Sequence, residues 1–403
     1  MEIRIPEYVN EVLKRLRASG FEAFAVGGCV RDSLLGRVPD DWDICTSAHP
    51  EETKACFADV RTVDTGIRHG TVMVLMDGHP VEITTYRIDG PYKDSRHPES
   101  VTFTRDLTED LARRDFTINA MAYDREAGLM DPFGGIRDLD DHVIRAVGDP
   151  RERFREDALR ILRAVRFSAV LGFAVEEKTQ RAADELAPTV RGIASERIQA
   201  ELTKLLAGQD AAGTLIRERS VLEAGLARGI RPDGRLQALR FLKAGLPAAL
   251  VVVFGDSAAD AAGELKYDSA TIEMTRKLSE LEHRNTPAGE TDLLFRLRDY
   301  GEEPVRASLQ LKQALDRAAG NTGSAEERAL RMLDRLLEQE RCYRREDLNI
   351  SGRDLIELGV PKGKGIGRIL STLLDEVIRE EVPNDTEALR SRAQELLSDR
   401  KEK

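Results

Sequence analysis

Apolar positions first recur at helical spacing. Val9, Val12, Leu13 and Leu16 line one face between Lys14, Arg15 and Arg17, and Gly20 stops the segment. Phe24, Ala25 and Val26 then form a short strand-like run ending at Gly27-Gly28. The pattern predicts a helix from Arg31 to Leu35, a stop at Gly36, a turn through Pro39, and a strand carrying Asp41 and Asp43. Ser47 to Asp59 reads as a helix with Ser47 as candidate cap and acids in its first turn. Val72, Val74 and Met76 alternate with Thr71, Met73 and Leu75, Asp77-Gly78 marks a hairpin turn, and Pro80 to Tyr86 returns as a strand. On that return Val81, Ile83 and Thr85 share one face, while Glu82, Thr84 and Tyr86 share the other.

Ile88 to Val101 is rich in Gly, Pro, Asp and Ser and predicts a long loop. Asp131 to Leu139 is a turn-rich link. The stretch RERFREDALRILRAVRFSAVLGF reads as one helix, with Ala158, Ile161, Leu162, Val165 and Ala169 as its buried stripe. Asp157, Arg160 and Arg163 project from another face, and Arg166 lies a turn further on. Beyond Leu171 the pattern is almost purely helical. Ser195 to Gly208 opens on a capping residue and ends at glycine, and Pro247, Gly255, Asn285–Gly289 and Gly320–Ser324 mark connections. Strands and helices together, followed by helices alone, point to an α+β fold.

At 403 residues the chain is too long for one core, so two to four domains are expected. Low aromatic content, 5%, leans towards helix-rich packing. Cys29, Cys45, Cys56 and Cys342 have no CxxC spacing, which fits a reduced cytoplasmic setting and not a zinc site. The basic amphipathic N-terminus is not a signal peptide. The longest apolar run, Leu246 to Phe254, is far short of the roughly 20 residues that span a bilayer. A net charge of −11 excludes a basic coat but leaves room for a local arginine stripe that grips a nucleic acid.

The chemistry concentrates in VGGCVRDSLLGRVPDDWDICT, residues 26–46. In a strand Asp41 and Asp43 point the same way, with Trp42 and Ile44 opposite. Two adjacent carboxylates repel unless a cation sits between them, and hard oxygen donors suit Mg²⁺ shared with substrate phosphates. Gly28 lets backbone amides approach phosphate, and Arg31 follows as a phosphate donor. Glu82, on a strand of an otherwise apolar hairpin, is either a surface residue or a third acid near the metal. Asp157 and Arg160 form either a surface salt bridge, worth about 0.3–0.5 kcal/mol, or a base reader. Asp only accepts and Arg only donates, which matches the pairing edges of cytosine and adenine and leaves guanine and uracil with unpaired groups.

GGCVRD followed by DDWDICT resembles the signature of nucleotidyltransferases of the CCA-adding enzyme and poly(A) polymerase type. RRDFTINA, EDALR and SERIQAELTKLLAG follow in family order, and the chain looks like a bacterial class II CCA-adding tRNA nucleotidyltransferase. The resemblance implies that the strands form one small mixed sheet in a nucleotidyltransferase head (1–138), with an all-α remainder: a neck that recognises the base (139–207), a helical body (208–340) and a tail that holds the tRNA elbow (341–403). It implies template-independent addition of CCA to the tRNA 3′ end from CTP and ATP, with release of pyrophosphate. Asp41 and Asp43 would hold Mg²⁺, with Glu82 assisting. Arg114 would contact phosphate, Asp115 and Asn119 the ribose, and Asp157 and Arg160 the base, with Arg163 and Arg166 completing the pocket. Lys362, Lys364 and Arg368, set among glycines before a helix, resemble the tail of Gram-positive-type enzymes and would contact RNA. The long 88–101 loop argues against a CC-only relative. No His-Asp dipeptide signals a phosphohydrolase module, and no obligate protein partner is evident. An A-adding or poly(A)-adding enzyme on the same scaffold, and an inactive RNA-binding relative, stay open.

Overall fold

The computed structural model describes residues 3–90 and 100–398, which divide into two compact units, Met1–Gly229 and Ile230–Lys403. In the first unit α1 (Glu7–Ala18) buries Val9, Val12, Leu13 and Leu16, the face its spacing predicts. It leads to β1 (Ala23–Val26), α2 (Gly28–Leu34), β2 (Asp43–Thr46), α3 (Pro50–Cys56), β3 (Thr62–Gly66), β4 (Thr71–Met76) and β5 (His79–Thr85). After the short pair β6 (Arg87–Asp89) and β7 (Val101–Phe103) come α4 (Leu107–Ala112), β8 (Ala122–Asp124), β9 (Gly128–Met130) and α5 (Gly135–Asp140). β10 (Val143–Ile144), α6 (Pro150–Glu156), α7 (Leu159–Leu171), β11 (Ala174–Val175), α8 (Glu177–Leu186) and α9 (Ser195–Leu206) follow.

One seven-stranded sheet runs β3-β4-β5-β2-β1-β8-β9. Its strands pair antiparallel except β2 with β5, which run parallel and make the sheet mixed. Asp77 (φ 51°) and Gly78 (φ 83°) are both left-handed, as the tight β4–β5 hairpin requires. Val72, Val74, Met76, Val81 and Ile83 are buried on one face, leaving Glu82 exposed on the other. Phe24, Val26, Cys45, Tyr86, Leu107, Leu111, Ala120, Ala122 and Val147 build a core cluster beneath the central strands.

Local boundaries depart from the sequence pattern for identifiable reasons. α2 starts at Gly28, because Gly27 alone (φ 81°, ψ −127°) makes the turn and its carbonyl already accepts the Arg31 N–H at 3.1 Å. β2 starts at Asp43. Its neighbour β1 ends at Val26 and has no residue left to pair with Asp41. The helix expected after Ser47 is capped by His49, whose N–H donates to Glu52 at 2.7 Å; Ser47 Oγ instead accepts the Glu22 N–H at 2.9 Å. Ser195 is the first residue of α9 and makes no cap hydrogen bond. Arg87, Ile88 and Asp89 pair with Phe103, Thr102 and Val101, so the expected loop begins and ends in strand; residues 91–99 lie outside the described residues.

The largest departure is at Asp157. The expected single helix is two, α6 and α7, because Asp157 turns extended (φ −139°, ψ 103°) and its carboxylate accepts the Leu159 N–H at 3.0 Å. An aspartate so placed competes with the helix for backbone donors. The predicted stripe of Ala158, Ile161, Leu162, Val165 and Ala169 is buried.

The second unit is helical. Leu250–Val253 are fully buried in the helix Gly245–Phe254, where Pro247 occupies the first turn rather than a connection. That position needs no N–H. The stretch Gly245–Glu264 is long and apolar enough to cross a membrane by length and composition, a test that the buried core helix of a soluble protein also meets. Arg235 anchors the unit by a forked pair with Glu282 (2.7 and 2.8 Å) and donates to the Val251 and Val252 carbonyls. A second core joins the helices Glu290–Tyr300, Glu302–Ala318, Ser324–Glu338, Lys364–Ile378 and Thr386–Ser398 through Leu294, Leu309, Leu333, Leu373 and Leu389.

Gly135 sets how closely α5 lies on the turn carrying Asn119. A Cβ there would sit 2.4 Å from the Thr117 carbonyl and 2.9 Å from Met121. We predict that Gly135→Ala destabilises the protein by about 1–3 kcal/mol. Gly192→Ala, where a Cβ meets nothing within 4 Å, should leave the protein within about 0.5 kcal/mol of the parent. Urea unfolding of the two variants side by side tests the difference.

Candidate active site

The acidic group lies where β2 meets β5. The parallel register sets Asp43 opposite Glu82, with Asp43 half-buried and Glu82 exposed. Asp41 is exposed just ahead of the strand, and Trp42 between the two aspartates is only 4% exposed, which fixes the chain on either side of it. Burial, reinforced by the charges of Asp41 and Glu82 and opposed by Arg114, pushes the Asp43 carboxyl up to about 6. A carboxylate in that environment gains from a nearby cation. Among the described residues no three acidic, histidine or cysteine side chains converge closely enough to hold a metal by themselves. Two aspartates sharing an ion with substrate oxygens remain compatible with the donor set.

Behind the glycine pair stands Arg114. A Cβ on Gly27 would lie 3.1 Å from Arg114 Nη1, so the missing side chain lets the guanidinium approach the turn. Arg114 pairs with Asp110 at 3.4 Å, and Asp110 also binds Arg113 at 2.8 Å and accepts the Arg87 N–H. Arg114 Nε is buried with no hydrogen-bonding partner.

A connected network of charges then crosses from α2 to α9. Arg31 donates to Asp32 (2.9 and 2.8 Å) and to Asn119 Oδ1 (2.6 Å), and Asn119 Nδ2 donates to Asp115 Oδ1 (3.0 Å). Asp115 also accepts the Phe116 N–H at 2.8 Å and the Arg163 guanidinium at 2.7 Å. Burial alone would raise the Asp115 carboxyl, but Arg163 and the Asn119 amide hold it down to about 2. Arg163 lies 3.7 Å from Glu201, whose other oxygen sits 2.5 Å from Arg166 Nε. That last contact is an ion pair without hydrogen-bond alignment, since neither atom has a hydrogen-bonding partner. Burial draws the Arg166 guanidinium below its ordinary value, while Glu201 opposes the shift. Arg31, Asp115, Asn119, Arg163 and Arg166, named separately from sequence, are thus one assembly.

Asp157 and Arg160 do not pair with each other through their side chains. Asp157 Oδ2 accepts from Arg197 at 2.8 Å. Arg160, 8% exposed, donates to Glu156 (2.6 Å) and to the carbonyls of Arg153 and Arg113 (3.2 and 3.0 Å). These contacts leave Arg160 Nε–H and one Nη2 hydrogen without a partner, and Asp157 retains lone pairs to accept more. The two side chains are held apart in fixed positions, one as acceptor and one as donor.

Sequence reading missed Arg197, Glu201 and Glu156. Arg197 and Glu201 are four residues apart on α9, a spacing that places both on one helix face, but which side chains they would meet was not legible. In the second unit Lys362, Lys364 and Arg368 are exposed around the first turn of Lys364–Ile378, which begins after Gly363 (φ 134°).

Residues 23–145 match the family model described as Poly A polymerase head domain, and residues 248–393 match that for tRNA nucleotidyltransferase domain 2. Residues 172–227 match one described as "Probable RNA and SrmB- binding site of polymerase A". The CCA-adding enzyme of Latilactobacillus sakei is 42% identical over 95% of this chain and 97% of its own. The crystal structure of the Bacillus stearothermophilus CCA-adding enzyme in complex with CTP superposes with a TM-score of 0.79 at 31% identity, covering 98% of both chains. The Thermotoga maritima CCA-adding enzyme complexed with tRNA, at 22% identity and a TM-score of 0.63 over 98% of this chain and 97% of that one, shares the fold. Near-complete coverage of a relative this similar, together with the head-domain match over the acidic site, places the chain in the family of bacterial CCA-adding enzymes, the tRNA nucleotidyltransferases.

Proposed function

We infer that this chain adds C, C and A to the 3′ end of tRNA from CTP and ATP without a nucleic-acid template, releasing pyrophosphate, and that the residues assembled above carry the reaction. Family membership supports the activity, and the Asp43–Glu82 register, with Asp41 just ahead of it, supports the reading of these acids as its centre. Asp41 and Asp43 would hold Mg²⁺, with Glu82 assisting, and the upward shift of the Asp43 carboxyl supports a cation there. Bound Mg²⁺ supplies the positive charge that an attacking 3′-hydroxyl and a triphosphate both require.

The chain's own groups do the rest. Gly28 gives the phosphates close access to backbone, and Arg31, Arg114, Arg163 and Arg166 offset their charge. Asp115 and Asn119 face the ribose, where an acceptor and an amide can recognise a 2′-hydroxyl. Asp157 accepts from the amino group of cytosine or adenine, and Arg160 donates to the ring nitrogen beside it. Arg197 and Glu156 keep those two groups from collapsing onto each other. Lys362, Lys364 and Arg368 would contact the RNA backbone. We assign these tasks to a head (1–138), a neck (139–207), a body (208–340) and a tail (341–403). Four unpaired cysteines support a reducing, cytoplasmic setting.

Asp41→Ala is expected to abolish nucleotide incorporation while leaving tRNA affinity unchanged in a filter-binding assay. Normal turnover by this variant would remove the aspartate pair from the mechanism. Asp157→Ala should relax selection against UTP and GTP by about ten- to hundred-fold, the equivalent of one lost buried hydrogen bond. Competition between CTP and UTP on a tRNA lacking CCA measures this, and unchanged selectivity would eliminate Asp157 as a base reader.

A further inference from the structure

Three of the guanidinium groups assigned to the nucleotide pocket converge on one aromatic ring. The Cζ atoms of Arg31, Arg163 and Arg166 lie 5.0, 5.4 and 3.8 Å from the centroid of Phe167, which is only 3% exposed. Cations within about 6 Å of a ring centroid are attracted by its quadrupole. The ring is itself locked in place: Phe116 meets it edge to face, with centroids 5.7 Å apart and planes at 82°. Phe116 is fully buried and follows Asp115, which holds Arg163.

Three cations so close together repel. Asp32 pairs with Arg31, Asp115 with Arg163, and Glu201 with both Arg163 and Arg166. None of these carboxylates touches all three. Phe167 does, and it adds no formal charge that would repel an incoming triphosphate. An aliphatic side chain would fill the volume but offer no quadrupole.

We propose that Phe167 is a positioning residue for the nucleoside triphosphate: its ring gathers Arg31, Arg163 and Arg166 into one cationic group oriented to meet the phosphates. The proposal rests on the reading of these arginines as nucleotide-binding. Phe167 touches neither base nor reacting atoms. It acts through the guanidinium groups, so its loss weakens nucleotide binding more than turnover.

The test keeps the shape of the side chain and changes only its electrons. Phenylalanine, 4-fluorophenylalanine and 3,4,5-trifluorophenylalanine are placed at position 167 of the full-length enzyme. KM and kcat for CTP are measured on a tRNA lacking CCA, with thermal unfolding alongside. Phe167→Leu and Arg166→Ala complete the set. KM is expected to climb with fluorination, by about five- to thirty-fold at the trifluoro ring. kcat should stay within about two-fold, the pattern of lost uniform binding. A flat KM across the series with a raised KM in Arg166→Ala overturns the role of the ring and leaves the arginine pocket standing. KM unchanged in every variant removes the arginine pocket, and this proposal with it. A KM rise that tracks a falling unfolding temperature makes Phe167 a packing residue only and overturns the proposal.

Discussion

The network of hydrogen bonds and ion pairs Arg31–Asn119–Asp115–Arg163–Glu201–Arg166 is the interaction on which the first unit depends. Its members come from α2, the turn before β8, α7 and α9, segments far apart in sequence. The Asp115 and Glu201 carboxylates are buried, so each needs its partner. Breaking a buried pair by removing one member typically costs several kcal/mol, because the other charge is left uncompensated. The network therefore ties α2, the turn before β8, α7 and α9 to one another. It also gathers the guanidinium groups of Arg31, Arg163 and Arg166 around the ring of Phe167.

The break between α6 and α7 shows how a local defect becomes useful geometry. A continuous helix would set Asp157 and Arg160 on one face, free to neutralise each other. The extended Asp157 instead spends one oxygen on the Leu159 N–H and the other on Arg197. Arg160 is occupied by Glu156 and two carbonyls. A donor and an acceptor that might have quenched each other are kept available to a third party. Groups fixed in this way lose less ordering entropy when they bind than mobile ones do.

Much of this was legible in the sequence. Period-two alternation and Asp77-Gly78 specified the β4–β5 hairpin, and helical spacing specified α1 and the buried face of α7. The aspartate pair and Arg31 could be named from residue type and spacing, whereas Arg114, Arg163, Arg166 and a role for Glu82 came from the family resemblance. What could not be read was partnership. Nothing in SERIQAELTKLLAG says that Arg197 will meet Asp157 or that Glu201 will meet Arg166, since those contacts depend on how α9 crosses α7. The break at Asp157 was hidden because the apolar stripe runs on through it at Ala158. Phe167 carries no signal of its own in the sequence, and its distinction lies in what surrounds it.

Trp42 is the sole tryptophan of the chain, and it is buried between the two aspartates of the site. Its indole emission therefore reports on the segment that carries Asp41 and Asp43, with no second indole to obscure it. The protein carries an intrinsic optical probe of that segment, placed there by the same burial that fixes the chain on either side.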